Sequence, residues 1–355
     1  PIRVLLTTNT AQGHQILNEA VADIGDDSGR LTACVGYFPF DRPSWMRRAV
    51  ESIRPRLAVL LETELWPGQL SALKWFGSRV LVLNGRMSAA SLRSYRIWPA
   101  FWRRLAPDLI LAISPTDAQR FAAVFPQSQV EVVPNIKFDR LQFDTGSIDG
   151  RNPVAHLFAP QSPVLVLGSI RQEEESQIQA LLLDLHARLP GSVICLFPRH
   201  QPRQAAWADF LDRSRLPWTL RSKIEDPVAS GTVVLWDTFG ELAHTYQIAR
   251  AAFVGGSLAP LGGQNFLEPL VSGIRPVIGP WWESFHWVGS DIVDSGLVRV
   301  AGNWKEAADR LARDISSPPD PQQTRRRAQR YVQQRQGGTA ASCRRITAML
   351  SVTQL

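Results

Sequence analysis

The chain has 355 residues, 45% hydrophobic and 20% charged, which is enough apolar material for two domains of ordinary size and excludes a disordered chain. A formal charge of +7 and a pI near 9.8 admit an acidic substrate, an anionic membrane surface or a polyanion as partner, and arginine, with its planar fork, dominates the basic set. No apolar run approaches the roughly 20 residues of a spanning helix, and three scattered cysteines, Cys34, Cys195 and Cys343, exclude a disulfide framework and read as buried thiols.

Residues 2–7 read as a strand, and Val4, Leu5 and Leu6 form the continuous apolar run of a parallel strand covered on both faces. A loop at 8–13 enters a helix at 14–21, then strands at 31–37 and 57–61 flank a helix over 44–53. The third strand ends in Glu62-Thr63-Glu64-Leu65-Trp66-Pro67, with Pro67 placed to open a helix. These acids either mark the lip of a site, since ligands collect at strand carboxyl ends, or only complement a helix dipole. A fourth strand at 80–83 runs into Asn84-Gly85-Arg86-Met87-Ser88, and strands at 109–113 and 130–133 follow. The second of these leads to Pro134-Asn135-Ile136-Lys137-Phe138-Asp139. Trp45-Met46-Arg47-Arg48 and Trp98-Pro99-Ala100-Phe101-Trp102-Arg103-Arg104 mix tryptophan with arginine, as on a membrane interface or, alternatively, as core aromatics beside solvated arginines.

Low periodicity with glycine and proline over 142–163 marks a linker. The same grammar then restarts. A strand at 164–167 precedes Gly168-Ser169-Ile170-Arg171 and the acids 173–175, and one at 193–197 ends in Pro198-Arg199-His200. Another at 233–235 leads into Trp236-Asp237-Thr238-Phe239-Gly240-Glu241-Leu242, where Asp237 or Thr238 is placed to cap a helix opening near Gly240. After Phe253-Val254 come Gly255-Gly256-Ser257 and Gly262-Gly263, then Asn265, placed to cap a helix bearing Glu268. A glycine loop before a helix start suits an anion through its main-chain N–H groups, whereas Glu268 better suits the hydroxyls of a ribose; the other reading is a capping loop with a dipole-friendly glutamate. A strand at 277–278 and helices at 304–315 and 320–350 complete the alternation, which argues mostly parallel sheets.

These blocks resemble the Kdo transferases, bacterial enzymes that move 3-deoxy-D-manno-octulosonic acid (Kdo) from its CMP ester to lipid A. The family reads approximately GGSLxxxGGHNxLEP where Gly255 to Leu258, Gly262, Gly263, Asn265, Leu267, Glu268 and Pro269 stand, with Gln264 in place of histidine. ETELWP, NARLS, GNLKFD, GSTH, PRH and DTxGEL are similar to the blocks at 62–67, 84–88, 134–139, 168–171, 198–200 and 237–242. Pro134, Ile170 and Arg171 depart from them, and residues 281–287 depart from a histidine-rich loop.

The resemblance implies an α/β fold of two Rossmann-like domains facing a central cleft (GT-B type): an acceptor-side domain at 1–142, a linker at 143–163, a donor domain at 164–320 and a last helix at 321–355 crossing back. It implies an inverting, metal-independent transfer of Kdo from CMP-Kdo to a lipid A precursor on the cytoplasmic face of the inner membrane, with no cofactor and no nucleic-acid partner. Donor binding falls to Lys137, Ser169, Arg199, Gly240, Glu241, Leu242, Gly256, Ser257, Gly263, Asn265 and Glu268. Glu268 and Asn265 face the ribose, while Arg199, the helix start at Gly240 and Lys137 face the phosphate. Arg86 and Ser88 fall on the acceptor side. The family's base, a glutamate after a Ser-Val-Gly turn on a first strand, is expected upstream of Pro1. A trimmed first domain without its N-terminal strand and helix explains this better than loss of the base, and Glu62 and Glu64 remain to orient or deprotonate a hydroxyl. The alternatives are a non-catalytic relative, separable by CMP release, and a GT-B relative using a UDP sugar. Nucleic-acid binding is suggested by charge alone, and no recognised module accompanies it.

Overall fold

The computed structural model describes residues 2–23, 31–141 and 152–351. The linker expected at 143–163 therefore lies, over 143–151, outside the described residues. The chain divides into two compact units, one of Pro1–Pro134 with Gly338–Leu355, the other of Asn135–Gly337.

The first unit alternates β1 (Ile2–Thr8), α1 (Ala11–Asp23), β2 (Leu31–Tyr37), α2 (Pro43–Ile53), β3 (Leu57–Leu61), α3 (Pro67–Phe76), β4 (Arg79–Gly85), α4 (Ala89–Tyr95), α5 (Pro99–Arg104), β5 (Leu109–Ala112), α6 (Pro115–Val124) and β6 (Gln129–Val132). Its strands pair in parallel as two sheets, β1-β2 and β3-β4-β5-β6, and among the described residues nothing pairs β1 or β2 with β3. That corrects the expectation for 2–7. Ile2 is 51% and Leu5 39% exposed, because the pair is too narrow a sheet to be covered on both faces. By contrast β4 and β5 are apolar runs buried on both faces, with Val80, Leu81, Val82, Ile110 and Leu111 fully enclosed. The cysteines are also corrected. Cys195 is buried in a central strand and burial pushes its thiol up, but Cys34 on β2 and Cys343 on a helix surface are exposed.

The second unit holds β7 (Val164–Ile170), α7 (Glu175–Arg188), β8 (Val193–Pro198), α8 (Gln204–Arg213), β9 (Trp218–Leu220), β10 (Val233–Leu235), α9 (Leu242–Ile248), β11 (Ala251–Val254), α10 (Leu267–Val271), β12 (Val277–Ile278), α11 (Asp291–Asp294), β13 (Arg299–Val300), α12 (Trp304–Ser316) and α13 (Pro321–Gln333). All seven strands are parallel, in the order β13-β12-β11-β7-β8-β10-β9. Order reverses beside β7, so that β8, β10 and β9 lie to one side and β11, β12 and β13 to the other. One core face buries Leu165, Leu167, Ile178 and Leu182 with Leu311 of α12, and the other buries Val166, Cys195 and Val234 with Tyr246.

The helix expected over 320–350 is two. α13 stops at Gln333, Gly337 at φ +100° turns the chain in a conformation that favours glycine, and α14 (Gly338–Ser351) resumes as part of the first unit. There Met349 packs with Leu81, Leu109, Leu111 and Val133, and Arg79 donates to its carbonyl at 2.7 Å.

Candidate functional site

In the second unit the carboxyl ends of β7 and β11 flank the point of strand reversal, where open parallel sheets present ligands. The two ends are stitched together, with Gly255 N–H donating to Gly168 O at 2.8 Å. Ser169 sits at φ +58°, a left-handed conformation that a residue with a side chain adopts only when its surroundings enforce it. Gly168 has no room for a Cβ, which would lie 2.1 Å from the Tyr246 hydroxyl and 3.5 Å from a Leu242 methyl. Leu242 and Tyr246 are one turn apart on α9 and share the face that meets β7.

Glu268 opens α10 in the same neighbourhood. Asn265 fixes it, donating its amide to Oε1 at 2.8 Å while its carbonyl accepts the Leu267 N–H at 3.2 Å. Burial raises the Glu268 carboxyl above the ordinary range, opposed by the Asn265 hydrogen bond and the positive charge of Arg199. Burial raises Tyr246 in turn, and the Glu268 charge adds to it. Arg199 follows β8, its N–H donating to Ile170 O at 2.8 Å. Arg199 and Tyr246 thus lie within electrostatic reach of Glu268, while α9, bearing Leu242 and Tyr246, packs on both β7 and α10.

Gly256 and Ser257, also expected to bind the donor, turn inward. The N–H groups of Gly256, Ser257 and Leu258 do not stand open to an anion, because they donate to the buried Glu174 carboxylate at 2.5, 3.2 and 3.1 Å. Gly262 and Gly263 make room for the chain itself. At Gly262 a Cβ would lie 2.3 Å from Ser284 Oγ, and at Gly263 3.1 Å from Trp282 Cα. Neither Asp237 nor Thr238 caps α9. Asp237 accepts from Ser222 N–H at 2.9 Å, and the Thr238 hydroxyl donates to Glu241 at 2.5 Å. Glu241 also takes Arg221 in two hydrogen bonds and Trp236 Nε1 at 2.9 Å, while Gly240 at φ +81° makes the turn before it. Lys137 stands over the Trp287 ring at 5.6 Å, held by Asn135 through its own N–H at 2.9 Å.

In the first unit, Glu62 follows β3 at φ +55°, its N–H donating to Leu83 O at 2.8 Å. The Thr63 hydroxyl donates to Arg86 O, joining the 62–67 segment to 84–88. The Glu64 carboxylate accepts Trp66 Nε1 at 2.7 Å. Ser88 caps α4, accepting Ser91 N–H at 3.0 Å, and Asp117 and Arg120 hold the peptide at Met87 from both sides at 2.8 and 2.7 Å. The helix opened by Pro67 is capped from a distance by Asp41, which accepts the N–H groups of Gly68 and Gln69 at 2.8 and 2.7 Å. Glu174, Tyr246 and Asp41 escaped the sequence reading. The signals present were a run of three glutamates after a strand, a tyrosine one turn beyond Leu242, and an aspartate in a turn, none of which names its partner. Among the described residues no group of three or more His, Cys, Asp or Glu is gathered as for a metal ion.

Residues 1–140 match the family described as 3-Deoxy-D-manno-octulosonic-acid transferase (kdotransferase). The chain is 30% identical over 344 residues to the 3-deoxy-D-manno-octulosonic acid transferase of Bordetella pertussis, covering 95% of this chain and 78% of that protein. To the protein of the same name from Haemophilus influenzae it is 29% identical over 297 residues, covering 82% and 68%. The crystal structure of Anabaena Alr3699/HepE with UDP and glucose superposes with a TM-score of 0.57 at 14% identity, covering 99% of this chain and all of that one, a likeness of fold. Two Rossmann-like units of the GT-B kind, carrying sequence shared along nearly the whole chain, place it in the 3-deoxy-D-manno-octulosonic acid transferase family.

Proposed function

We propose that the protein transfers Kdo from CMP-Kdo to a lipid A precursor in lipopolysaccharide synthesis. The observation that carries this reading is Arg199 within electrostatic reach of Glu268, on elements that pack, with Leu242 and Tyr246 of α9, around the strand reversal of the second unit. In this reading Glu268, fixed by Asn265, receives the ribose hydroxyls of the donor. Arg199 draws off charge as the CMP phosphate leaves, since a guanidinium fork matches phosphate oxygens and a site shielded from water strengthens the pairing. The turn at Gly240 and Glu241, braced by Arg221, presents the start of α9 to the same phosphate. Lys137 adds a second cation, and inversion needs neither a cofactor nor a metal. On the acceptor side, Glu62 and Glu64 orient or deprotonate the attacking hydroxyl, with Arg86 and Ser88 beside them on the loop that Thr63 ties down.

The acceptor is a lipid, and we place the protein on the anionic cytoplasmic face of the inner membrane. An aromatic-basic segment supports this. Around α5, Ile97 is 71%, Trp98 68% and Phe101 43% exposed, among exposed Arg93, Arg96, Arg103 and Arg104. No acidic residue occurs from 86 through 107. Trp102, by contrast, packs inward on Tyr95 and Phe125 as a core aromatic. No helix among the described residues is long and apolar enough to cross a membrane.

The test is incubation with CMP-Kdo and a lipid A precursor, reading CMP release and the mass of the lipid. Gain of a Kdo unit, lost in Glu268→Gln and Arg199→Ala, supports the reading. Transfer from a UDP sugar instead, or no transfer by a full-length chain that binds CMP, overturns it.

A further inference from the structure

The side chain of Glu174 is wholly buried, and among the described residues it makes no ion pair. Its carboxylate is satisfied by main chain alone. Oε1 accepts Arg171 N–H at 3.0 Å and Gly256 N–H at 2.5 Å, and Oε2 accepts Ser257 and Leu258 N–H at 3.2 and 3.1 Å. Arg171 follows β7 and residues 256–258 follow β11, so one carboxylate clamps the loops on either side of the strand reversal. Successive main-chain N–H groups form a concavity that binds anions. Here the chain fills it with an anion of its own.

The clamp is close-fitting. A Cβ on Gly255 would lie 2.6 Å from Glu174 Oε1 and 2.6 Å from Ser169 O. Its geometry is passed on toward the donor residues, because Gly263 N–H donates to Gly256 O at 2.7 Å just before Asn265 and α10. The Ser257 hydroxyl donates to Val254 O at 2.7 Å and accepts Gly279 N–H at 2.8 Å, tying the same loop to β12.

We infer that Glu174 is a positioning residue for donor binding: its carboxylate sets the two strand-end loops that place Ser169 on one side and Asn265 with Glu268 on the other. The inference rests on the CMP reading of this site. Glu174→Gln keeps the shape but turns one acceptor into a donor facing N–H groups, so up to two of the four lose their partner and the loops move apart.

The experiment measures CMP binding by calorimetry, and the KM for each substrate, in the full chain and in Glu174→Gln and Glu174→Asp. A Glu174→Gln chain that melts cooperatively should bind CMP about tenfold more weakly or worse, the scale of a lost charge-assisted hydrogen bond. Its donor KM should rise and its acceptor KM stay unchanged, and Glu174→Asp, which keeps the charge one methylene short, should recover part of the loss. A purely structural role lowers the melting temperature and leaves this split absent. Folded Glu174→Gln binding CMP within about twofold of wild type overturns the inference. Should Glu174→Gln not fold, the same comparison is made with Glu174→Asp. A wild-type chain that takes up no CMP instead overturns the donor reading beneath it.

Discussion

Arg221 meets Glu241 fork to fork, Nε to Oε2 at 3.0 Å and Nη2 to Oε1 at 2.8 Å, and the pair anchors the turn that starts α9. Burial pushes the Glu241 carboxyl up, but hydrogen bonds from Thr238 and Arg221 outweigh it and hold the group below the usual range. A lowered carboxylate stabilises the fold above its unfolded pKa and loses that contribution as pH falls through the folded value. Arg221→Met should therefore destabilise the protein by about 2 kcal/mol at neutral pH. The difference from wild type should shrink as pH drops below the reference value of 4.5. Urea denaturation at a series of pH values reads this, and a gap that widens in acid contradicts it.

Glu268 has the opposite sign. Burial holds its carboxyl above the reference value of 4.5. Such a group favours the fold fully below its unfolded pKa, and the advantage is lost as pH rises through the folded one. Glu268→Gln should gain stability over wild type on going from acid to neutral pH while binding CMP more weakly. Melting curves from acid to neutral pH, paired with calorimetry, should show the two effects together. Parallel melting curves would remove the claim that the buried charge is costly.

Asp41 and Gly68 form a remote cap on α3. A Cβ on Gly68 would stand 2.7 Å from Asp41 Oδ1. Asp41→Ala leaves two helix-start N–H groups without their acceptor and should cost about 1 to 2 kcal/mol. Gly68→Ala should cost about 1 to 3 kcal/mol through crowding. Because both changes act on one contact, the double variant should fall short of the sum of the singles. Strict additivity in a denaturation cycle counts against the cap.

For the bilayer face, Trp98→Ser with Phe101→Ser, and separately Arg96→Glu with Arg103→Glu, should each reduce sedimentation with vesicles rich in phosphatidylglycerol. Each cationic contact near such a surface is worth about 1 kcal/mol, so the charge-reversed pair should lose at least tenfold in partitioning. Melting temperatures should hold, since these side chains are exposed. Equal binding by wild type and both variants excludes this face as the point of attachment.

Much of the fold was legible because its parallel strands are short apolar runs enclosed on both faces, as at 80–83, 164–167 and 193–197. β9 and β13 were missed for a physical reason. At three and two residues, with Thr219 and Arg299 inside them, they carry no periodicity, and pairing with β10 and β12 makes them strands. Glu268, Asn265 and Arg199 were readable because each follows a strand or opens a helix. The fate of the glycine-loop N–H groups was not, since Glu173, Glu174 and Glu175 have the same chemistry and only the turn after β7 selects which one points inward. The tryptophan-arginine segments divided residue by residue, with Trp98 outward and Trp102 in the core, which composition alone does not sort.

The return of α14 to the first unit has a consequence for biogenesis. Arg56 and Arg79 of that unit donate to the carbonyls of Leu350 and Met349, and Met349 completes its core beside Leu81 and Leu111. On the ribosome, residues 2–134 must wait for some two hundred intervening residues to be synthesised before this helix can seat. The first unit thus waits for a helix made after the second unit, and a chain stopped at 337 would join the second unit to a first that lacks this helix.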